Sequence, residues 1–401
     1  MIGESWTVSP AREKARAPGS GGLGRGGEKR LHLTTETITI DARMLTFSGI
    51  GTYLTNLLTH LASIESEFSF VVICAGPELL RHLPPQRFRF VESKAPIYSL
   101  REQWEVARLA RGACLLHCPH YNIPYLHRGR MVVTIHDLSH LMHREFLPNR
   151  PAYWYATFML AAATKRATRI VTVSQYSRRC LQQTFHLPDE RIRVIYNGLT
   201  DEIKPRENSV NRSRLEALKV RRPYILFVGI LKQHKNVQGL LKAFSLVPFD
   251  KRRLFQLVIV GKKDGYYAVL LELTMKLSLE EQVVFTGAVT TDDLRALYAD
   301  ATLLVLPSLN EGFGYPVLEA MAFGVPVVVS NTSSLPEVAG PAGILVDPHD
   351  PQSIADGIGR LLSDDDLRKT LSGRCRQQAE LFSARKSALD HLEVYRAALT
   401  S

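Results

Sequence analysis

The chain has 401 residues, of which 45% are hydrophobic and 22% are charged, and its formal net charge is +11. This length exceeds that of a usual single core, and the apolar share is ordinary for a globular chain, so we expect two domains. No apolar run reaches the roughly 18 residues that a membrane span requires. The closest, residues 152–163, has ordinary helix-end signals on both sides and predicts a buried or interface helix.

Residues 1–30 differ from the rest of the chain, being rich in Gly, Ala, Arg and Pro with almost no apolar content. This composition predicts an unstructured basic tail, and it lacks the apolar core of a signal peptide. Membrane contact by the tail is the alternative interpretation. The five cysteines are scattered without a disulfide framework, which favours the cytoplasm, with peripheral contact at the inner face of the cell membrane as a further hypothesis.

Short β-branched runs alternate with longer helical patterns twice along the chain. This alternation is typical of βαβ units and predicts an α/β protein with two Rossmann-like, doubly wound parallel sheets. The candidate strands are residues 37–42, 70–74, 113–118, 132–137, 169–174 and 193–197, then 224–229, 257–261, 283–287, 303–307, 325–330 and 343–347. The polar stretch 201–222 predicts a linker between a first domain, 31–200, and a second domain, 223–382.

The positive charge is concentrated in the first half of the chain. Residues 31–200 hold 19 Lys and Arg against 12 Asp and Glu, whereas residues 201–401 hold 25 against 24. A basic first domain favours an anionic surface or acceptor, and charge alone does not choose between lipid headgroups and nucleic acid. The interleaved aromatic and basic residues of a nucleic-acid module are not evident, so no nucleic-acid partner is predicted. A non-catalytic anion or nucleic-acid binder remains an alternative hypothesis.

Residues 114–120, CLLHCPH, superficially resemble a set of zinc ligands. Cys114, His117, Cys118 and His120 lie within seven residues. Four ligands this close along an extended chain cannot easily converge tetrahedrally, so we favour small buried thiols over a zinc site. No D-x-D-like acidic pair follows a strand of the first domain, so no metal is predicted.

The first candidate strand is followed by a glycine-rich turn into a helix. Gly49 and Gly51 could begin a dinucleotide-binding fingerprint, but Leu54 replaces the third glycine and no acidic residue ends a next strand where a ribose would need it. These departures argue against a nicotinamide enzyme. The turn would still allow the backbone to approach a ligand closely.

The segment Pro307–Gly340 combines a glycine-containing loop, a helix start and a buried strand. Glu311 lies in the loop with Gly312, Phe313 and Gly314, and Pro316 fits the first helical position. A helix start exposes unpaired N–H groups at its positive end, which suits a phosphate. The segment therefore predicts a pyrophosphate-binding loop.

A second glutamate, Glu319, follows Glu311 by eight positions, which spans up to roughly 12 Å along a helix. That separation exceeds the roughly 5 to 9.5 Å between the paired carboxyls of glycosidases. Two carboxylates on either side of a phosphate site instead match an extended ligand such as a nucleotide sugar. Two solvated helix-end glutamates are the alternative interpretation.

Residues 310–331, NEGFGYPVLEAMAFGVPVVVSN, resemble the signature of family 4 retaining glycosyltransferases, which have the two-domain GT-B fold. Supporting pieces occur in the same order at 40–58, 132–141, 170–181, 192–199, 227–244, 257–265 and 283–308. The resemblance spans about residues 36–400. It implies an acceptor-binding first domain, a donor-binding second domain and a helix, 383–399, that returns to the first domain.

The first domain is most similar to that of mannosyltransferases of bacterial surface-polysaccharide assembly. The resemblance therefore implies a hexosyltransferase that moves mannose from GDP-mannose to a lipid-linked or saccharide acceptor with retention and without a metal. Other nucleotide-hexose donors would need only a few changes in the pocket. A sugar-nucleotide epimerase on the same fold is the main enzymatic alternative.

The resemblance also implies roles for particular residues. His136 would contact the donor sugar near its reacting carbon, with Asp137 as an orienting neighbour. An Arg-Lys pair that often holds the donor diphosphate in the family reads His234-Lys235 here. A histidine is mostly neutral near pH 7 unless its pKa is raised, so Lys235 would carry the electrostatic role, and the part of His234 in donor binding stays open. Lys235 and the amides of Gly312–Gly314 would stabilise the departing diphosphate.

The two glutamates and the first glycine-rich turn complete the predicted site. Glu311 would hold sugar hydroxyls, and Glu319 would hold the nucleotide ribose. Gly49 and Gly51 would lie over the donor phosphates and the acceptor.

Overall fold

A computed structural model of the chain describes residues 36–80, 83–142, 149–206, 211–263 and 265–401. The tail predicted for residues 1–30 lies outside the described residues. Within them, the β-strands form two sheets in which every pairing is parallel. Parallel sheets need helices on both faces, so most residues of their strands are buried, as in the strands Met131–Ile135 (MVVTI) and Leu303–Leu306 (LLVL).

The first sheet has seven strands in the order β3-β2-β1-β4-β5-β6-β7. They are β1 (Glu36–Asp41), β2 (Phe68–Cys74), β3 (Phe88–Glu92), β4 (Leu115–Cys118), β5 (Met131–Ile135), β6 (Arg169–Thr172) and β7 (Ile192–Val194). The order reverses direction at β1, which is the doubly wound topology that places ligands beside the carboxyl ends of the strands.

The second sheet has six strands in the order β10-β9-β8-β11-β12-β13. They are β8 (Tyr224–Val228), β9 (Gln256–Val260), β10 (Val283–Gly287), β11 (Leu303–Leu306), β12 (Val327–Ser330) and β13 (Gly343–Val346). Its direction reverses at β8, so the predicted α/β class with two doubly wound parallel sheets is confirmed. The strand β3 was not predicted from the sequence.

Helices cover both sheets. They are α1 (Ser48–Ser63), α2 (Leu100–Leu109), α3 (Ser139–Met142), α4 (Arg150–Arg166), α5 (Gln175–Phe185), α6 (Arg212–Ala217), α7 (Val237–Leu246), α8 (Phe249–Arg252), α9 (Tyr267–Lys276), α10 (Thr291–Asp300), α11 (Tyr315–Ala322), α12 (Leu335–Ala339), α13 (Pro351–Ser363), α14 (Asp365–Glu380) and α15 (Ala384–Leu399). None of the described helices is both long and apolar enough to cross a bilayer.

The last helix returns to the first sheet. Ala388, Leu392 and Tyr395 of α15 are fully or almost fully buried in the same core cluster as Leu54 and Leu58 of α1. Each buried leucine side chain of this kind contributes about 1.5 to 3 kcal/mol to folding. The helix therefore belongs to the first sheet by packing although it follows the second sheet in sequence.

The chain passes between the two sheets at two neighbouring points. Gly198 lies so close to the start of α15 that a Cβ there would be 2.0 Å from the backbone nitrogen of Ala384. The amide of Leu199 donates to the carbonyl of Phe382 over 3.4 Å. The predicted linker, 201–222, contains α6, whose Arg214 pairs with Asp293 of α10 at 2.7 Å. The stretch therefore packs against the second sheet's helices.

Candidate active site

The second sheet contributes an ion pair to the site. Lys235 follows β8 in a short 3₁₀ turn, and Glu311 follows β11 in the loop that leads to α11. The Lys235 Nζ lies 2.6 Å from Glu311 Oε1, which also accepts a hydrogen bond from the Ser308 hydroxyl at 2.8 Å. Both side chains are about nine-tenths buried. The sequence predicted both residues in the site but not their direct contact.

The loop after Glu311 presents backbone amides. Within the described part of the chain, the N–H groups of Gly312, Phe313 and Gly314 donate to no other group. Gly314 has φ of +107°, a left-handed conformation that favours glycine, and a Cβ there would lie 2.7 Å from a methyl of Leu335. Phe313 is buried, so only its backbone faces a ligand.

The helix α11 begins one residue earlier than the sequence suggested. Gly314 is its N-cap and Pro316 is its second residue, not its first. The hydroxyl of Ser334 holds the loop from behind by donating to the carbonyls of Glu311 and Phe313, at 3.0 and 2.9 Å. These two hydrogen bonds hold the loop against Ser334.

Glu319 lies inside α11 and is buried. Its Oε2 accepts a hydrogen bond of 2.7 Å from the hydroxyl of Tyr298 on α10. Burial raises the pKa of Glu319 to about 7, although the Tyr298 hydrogen bond favours the ionised form. A carboxyl in this state changes its protonation near neutral pH.

The first sheet contributes His136, which follows β5. Its Nε2 is 2.9 Å from the carbonyl oxygen of Pro119, which can only accept, so Nε2 carries the proton. Its ring meets the Tyr53 ring edge-on, with centroids 5.0 Å apart. Burial lowers the pKa of His136, so its Nδ1 is an acceptor at neutral pH. The carboxylate of the predicted orienting neighbour Asp137 instead accepts from the Ser139 amide at 2.8 Å.

Tyr53 is held by a buried hydrogen-bond chain that begins on α15. His391 Nδ1 is 2.7 Å from the carbonyl of Ser387, so Nδ1 carries the proton and Nε2 is an acceptor. The Tyr53 hydroxyl therefore donates to His391 Nε2 at 2.7 Å, and its oxygen accepts from Thr134 at 2.8 Å.

The same chain continues to His117. Because the Thr134 hydroxyl hydrogen is already used, its oxygen accepts from His117 Nε2 at 2.9 Å. His117 Nδ1 then accepts from the hydroxyl of Tyr395 at 2.7 Å. Burial lowers the pKa of His391 to about 4 and the pKa of His117 as well. We call Tyr53, His117, Thr134, His391 and Tyr395 the neutral network.

The two sides of the site are in contact. A Cβ on Gly312 would lie 2.6 Å from the carbonyl oxygen of His136, so only glycine fits this approach. Asn310 donates to the Ser139 hydroxyl at 2.6 Å. Farther along the interface, the carboxylate of Glu337 accepts from the amides of Gln175 and Tyr176, which begin α5, at 2.9 and 3.0 Å. A cavity of about 490 Å³ opens between α5 and residues 331–337, the segment that carries Glu337.

Three further residues were predicted in the site, namely His234, Gly49 and Gly51, and their surroundings differ from one another. Burial and the neighbouring Lys235 lower the pKa of His234 to about 4, in agreement with a neutral imidazole. Gly49 is exposed in the first turn of α1, with nothing within 4 Å of an added Cβ. Gly51 is buried, and a Cβ there would lie 2.1 Å from the carbonyl oxygen of Leu45. Close packing of α1 accounts for Gly51.

The cysteines and histidines of residues 114–120 do not form a metal site. Cys118 is buried, whereas Cys114 is exposed, so the expectation of two buried thiols is wrong for Cys114. It precedes β4, and the side chain does not enter the core. His117 belongs to the neutral network. Among the described residues, no group of three or more His, Cys, Asp and Glu side chains could hold a metal ion.

Several residues near the site were not singled out from the sequence. Arg43 is buried, with Asp41 at 2.7 Å and Glu102 at 3.1 Å, behind the turn that carries Pro119. An acidic and a basic residue two positions apart at the end of a buried strand could have indicated this ion cluster. Nothing in the local sequence indicated the neutral network, because its residues come from four separate segments.

Solved structures share this architecture. The chain superimposes on sucrose-phosphate synthase from Thermosynechococcus elongatus with a TM-score of 0.74 at 20% identity, covering 91% of this chain and 99% of that one. It superimposes on HepE from Anabaena, solved with UDP and glucose, with a TM-score of 0.73 at 20% identity, covering 90% and 100%. These likenesses establish the GT-B fold.

Sequence comparison gives the family. Residues 47–202 match the model described as Glycosyltransferase Family 4, and residues 211–378 match Glycosyl transferases group 1. The chain is 34% identical over 376 residues to O-antigen chain mannosyltransferase B of Escherichia coli, covering 87% of this chain and 96% of that protein. It is 32% identical over 239 residues to O-antigen chain mannosyltransferase RfbU of Salmonella typhimurium, covering 60% and 62%. The chain belongs to glycosyltransferase family 4, and it is a glycosyltransferase.

Proposed function

We propose that the enzyme transfers mannose from GDP-mannose to a hydroxyl of a lipid-linked or oligosaccharide acceptor, with retention at the anomeric carbon and without a metal ion. The observation that carries this proposal is the Lys235–Glu311 pair beside the amides of Gly312–Gly314, where the two sheets meet. One cation, a set of N–H donors and a carboxylate come together where the loops after β8 and β11 meet.

Each group suits one part of a nucleotide sugar. The Lys235 ammonium and the loop amides stabilise the charge that develops on the departing diphosphate. When Lys235 turns to the diphosphate, Glu311 accepts hydrogen bonds from sugar hydroxyls. His136 Nδ1 accepts from another sugar hydroxyl, because Nε2 is committed to Pro119.

The reaction needs no base from the protein in this arrangement. The acceptor oxygen attacks the anomeric carbon on the same face from which the diphosphate departs. The bond from that carbon to the phosphate oxygen breaks, and the acceptor proton passes to the departing oxygen. The protein supplies positioning and electrostatic stabilisation.

Glu319 suits the ribose. Its carboxyl is directed by the Tyr298 hydroxyl and lies one turn into α11, beyond the phosphate-facing amides. Ribose hydroxyls donating to it would favour its ionised form, because they stabilise the negative charge. We therefore expect nucleotide binding to release a proton from Glu319 near pH 7.

The choice of mannose as the transferred sugar is supported by the names of the relatives. Two of them, from Escherichia coli and Salmonella typhimurium, are named O-antigen chain mannosyltransferases. The structural neighbour from Anabaena was solved with UDP, so UDP sugars are the donors to test against GDP-mannose.

Calorimetry with GDP, UDP and guanosine tests the donor site. Glu319→Ala should weaken GDP and guanosine to a similar extent, since both carry the ribose. Lys235→Met should weaken GDP and leave guanosine unchanged, because guanosine has no phosphate. Tighter binding of UDP than of GDP would overturn the choice of nucleotide. Equal loss of guanosine binding in the Lys235 variant would overturn the assignment of Lys235.

Product analysis tests the reaction. With GDP-mannose and a saccharide acceptor, NMR should show an α-mannoside, and activity should persist after treatment with a metal chelator. A β-linked product would contradict retention, and loss of activity that is restored by a divalent cation would contradict the metal-free route. Conversion of the donor to an isomer without any acceptor would favour the epimerase instead.

A further inference from the structure

A carboxylate that was not singled out from the sequence joins the two sheets. Glu337 lies on α12, which packs against β12 and β13 of the second sheet. Its oxygens accept from the amides of Gln175 and Tyr176, which begin α5 on the first sheet, at 2.9 and 3.0 Å. The hydroxyl of Tyr196 also donates to Glu337, over 3.1 Å. We call Glu337 with Gln175, Tyr176 and Tyr196 the Glu337 bridge.

The first turn of α5 depends on this carboxylate for two of its acceptors. A helix leaves its first four N–H groups without partners inside the helix. In α5 the third and fourth, those of Ser177 and Arg178, donate to the hydroxyl and the carbonyl of Ser174, each over 3.1 Å. The first two donate to Glu337, whose negative charge suits the positive end of the helix. Without Glu337, these two N–H groups would lose their acceptor.

The same turn of α5 holds the first-sheet side of the active site. The hydroxyl of Ser177 donates to the carbonyl of His136 over 2.9 Å. Ser177 follows Tyr176 directly in the chain, so the Glu337 bridge lies next to the group that fixes His136. A shift of α5 would therefore move the backbone of His136, and with it the imidazole that we propose contacts the sugar.

The segment that carries Glu337 also holds the second-sheet side of the site. Ser334 lies three residues before Glu337 and donates to the carbonyls of Glu311 and Phe313 at 3.0 and 2.9 Å. The short segment 334–337 therefore contacts both the loop that bears the free amides and the first turn of α5.

The third donor of the bridge lies beside the two points where the chain crosses between the sheets. Tyr196 precedes the first crossing at Gly198, and its ring meets the ring of Phe382 with centroids 5.6 Å apart. Phe382 precedes the second crossing and meets the ring of Phe313 at the same centroid distance, 5.6 Å. The Glu337 bridge is thus placed where a small change in length alters the relative position of the two sheets.

Close packing does not replace the bridge at this point. The cavity of about 490 Å³ opens beside it and is lined mainly by polar side chains, among them Gln175, Arg179 and Asn331. Two domains ordinarily move relative to each other unless a large apolar interface joins them. Hydrogen bonds to Glu337 therefore hold the two sides here, and no filled apolar contact is present beside them to take over.

We propose that Glu337 is a positioning residue, which holds His136 and the loop Glu311–Gly314 at the separation that sugar transfer needs. It acts through the first turn of α5 and through Ser334, not by contact with the reacting atoms. This role rests on the proposed function, in which His136 and the loop contact the donor. Glu337 should therefore affect the rate of transfer, and not the binding of the nucleotide, whose proposed contacts all lie on the second-sheet side.

Steady-state kinetics and calorimetry of Glu337→Ala test the proposal. We expect kcat to fall by about ten- to 100-fold, since a misplacement of 1 Å can cost that much, while the Kd for GDP stays unchanged. Asp364→Ala is the matched control, because Asp364 accepts from the amide of Leu367 at the start of α14, over 2.8 Å, without joining the two sheets. Both variants lose a carboxylate at a helix start, so both melting temperatures should fall slightly, and only Glu337→Ala should lose turnover.

The conservative variant and the choice of donor complete this test. Glu337→Asp keeps the charge and should regain part of the lost kcat. If the wild type transfers nothing from GDP-mannose, the same variants are compared with UDP-glucose, so a wrong donor and a wrong role of Glu337 give different results. A wild-type kcat in Glu337→Ala, or an equal fall in Asp364→Ala, would overturn the proposal. Loss of GDP binding in proportion to kcat would overturn it as well, since Glu337 would then belong to the donor site.

Hydrogen exchange and a double-mutant cycle test the path through α5. The amides of Gln175 and Tyr176 should exchange faster in Glu337→Ala and not in Asp364→Ala, and unchanged exchange would show that the bridge is not formed in solution. Ser177→Ala removes the donor to the His136 carbonyl and should itself lower kcat. Together with Glu337→Ala it should lower kcat by less than the product of the two separate effects. Effects that multiply fully would show that the two residues act independently, and would overturn the proposed path.

Discussion

The two sides of the active site are built from different chemistry. The second-sheet side holds a buried ion pair, Lys235–Glu311, and a row of backbone amides from one continuous loop. The first-sheet side holds His136 and the neutral network, whose histidines are kept uncharged by burial. The second-sheet side of the cleft therefore carries charged side chains. The first-sheet side carries neutral side chains whose orientation is fixed by hydrogen bonds.

This difference assigns different tasks to the two sides. In the proposed reaction a departing diphosphate gains negative charge, which the second-sheet side can stabilise through its loop amides and through Lys235 once this side chain turns from Glu311. A sugar ring carries hydroxyls of no net charge, for which a neutral acceptor such as His136 Nδ1 is suited. Substitutions should therefore affect turnover on the second-sheet side and stability or positioning on the first.

The largest effect should come from Lys235→Met, which removes the cation that we propose for the diphosphate. We expect kcat/KM to fall by about 10² to 10³, the range found when one transition-state donor is removed. Steady-state kinetics with saturating acceptor measures it. Lys242→Met, at an exposed position on α7, is the control. A fall of less than about tenfold for Lys235→Met would show that the amides alone carry the leaving group.

A second large effect should follow from Gly312→Ala. The added methyl would lie 2.6 Å from the carbonyl oxygen of His136, so the two sides must separate to admit it. We expect turnover to fall about 100-fold, since a misplacement of 1 Å can cost that much. Gly359→Ala is the matched control, because nothing lies within 4 Å of its added methyl. Equal activity of both variants would show that the contact between Gly312 and His136 opens during turnover.

The fold was predictable wherever strands are buried on both faces. The strands of the second sheet are continuous apolar runs such as Leu303–Leu306, and each was recognised as a strand. The exception was β3, Phe88–Glu92, an edge strand in which Arg89 and Glu92 interrupt the apolar pattern. Its exposed residues are charged, so this short segment lacks the continuous apolar run by which the other strands were recognised.

The site was predictable where its residues are consecutive. Glu311 and the loop to Gly314 form one motif, so their spacing already indicated a ligand-binding loop. Tyr53 and His391 are 338 residues apart, and only the packing of α15 against α1 brings them together. No local pattern encodes such a contact, and the direction of its hydrogen bonds depends on a carbonyl, that of Ser387, in the helix backbone.

A smaller effect, visible in stability, concerns Glu319→Gln. The pKa of Glu319 is raised from 4.5 to about 7 by burial, so the folded protein binds this proton more tightly than the unfolded chain does. The resulting stabilisation is complete below pH 4.5 and is lost as pH rises through 7. The glutamine variant escapes that loss and still accepts from Tyr298.

We therefore expect Glu319→Gln to have a higher free energy of unfolding than the wild type at alkaline pH, by about 3 kcal/mol. The two proteins should be alike in mild acid, where the wild-type carboxyl is protonated. Urea unfolding across the pH range measures the difference. A difference that does not change with pH would contradict the raised pKa.

The smallest effect on turnover should come from Tyr53→Phe, which keeps the ring beside His136 and removes only the hydroxyl. The loss leaves Nε2 of buried His391 without its donor, which costs about 1 to 3 kcal/mol in the free energy of unfolding. Affinity for the nucleotide should be unchanged, because the charged side is intact. Lys235→Met, in contrast, should weaken the binding of GDP and lower turnover.

The pH dependence of this loss separates the neutral network from ordinary packing. Since the pKa of His391 is lowered to about 4, its contribution to stability is present above the ordinary value of 6.5 and is lost as pH falls towards 4. The hydrogen bond from Tyr53 requires the neutral imidazole, so the difference between wild type and Tyr53→Phe should shrink as the solution is acidified. Unfolding curves at several pH values measure this difference, and one that stays constant would show that the hydroxyl stabilises the fold without depending on the protonation of His391.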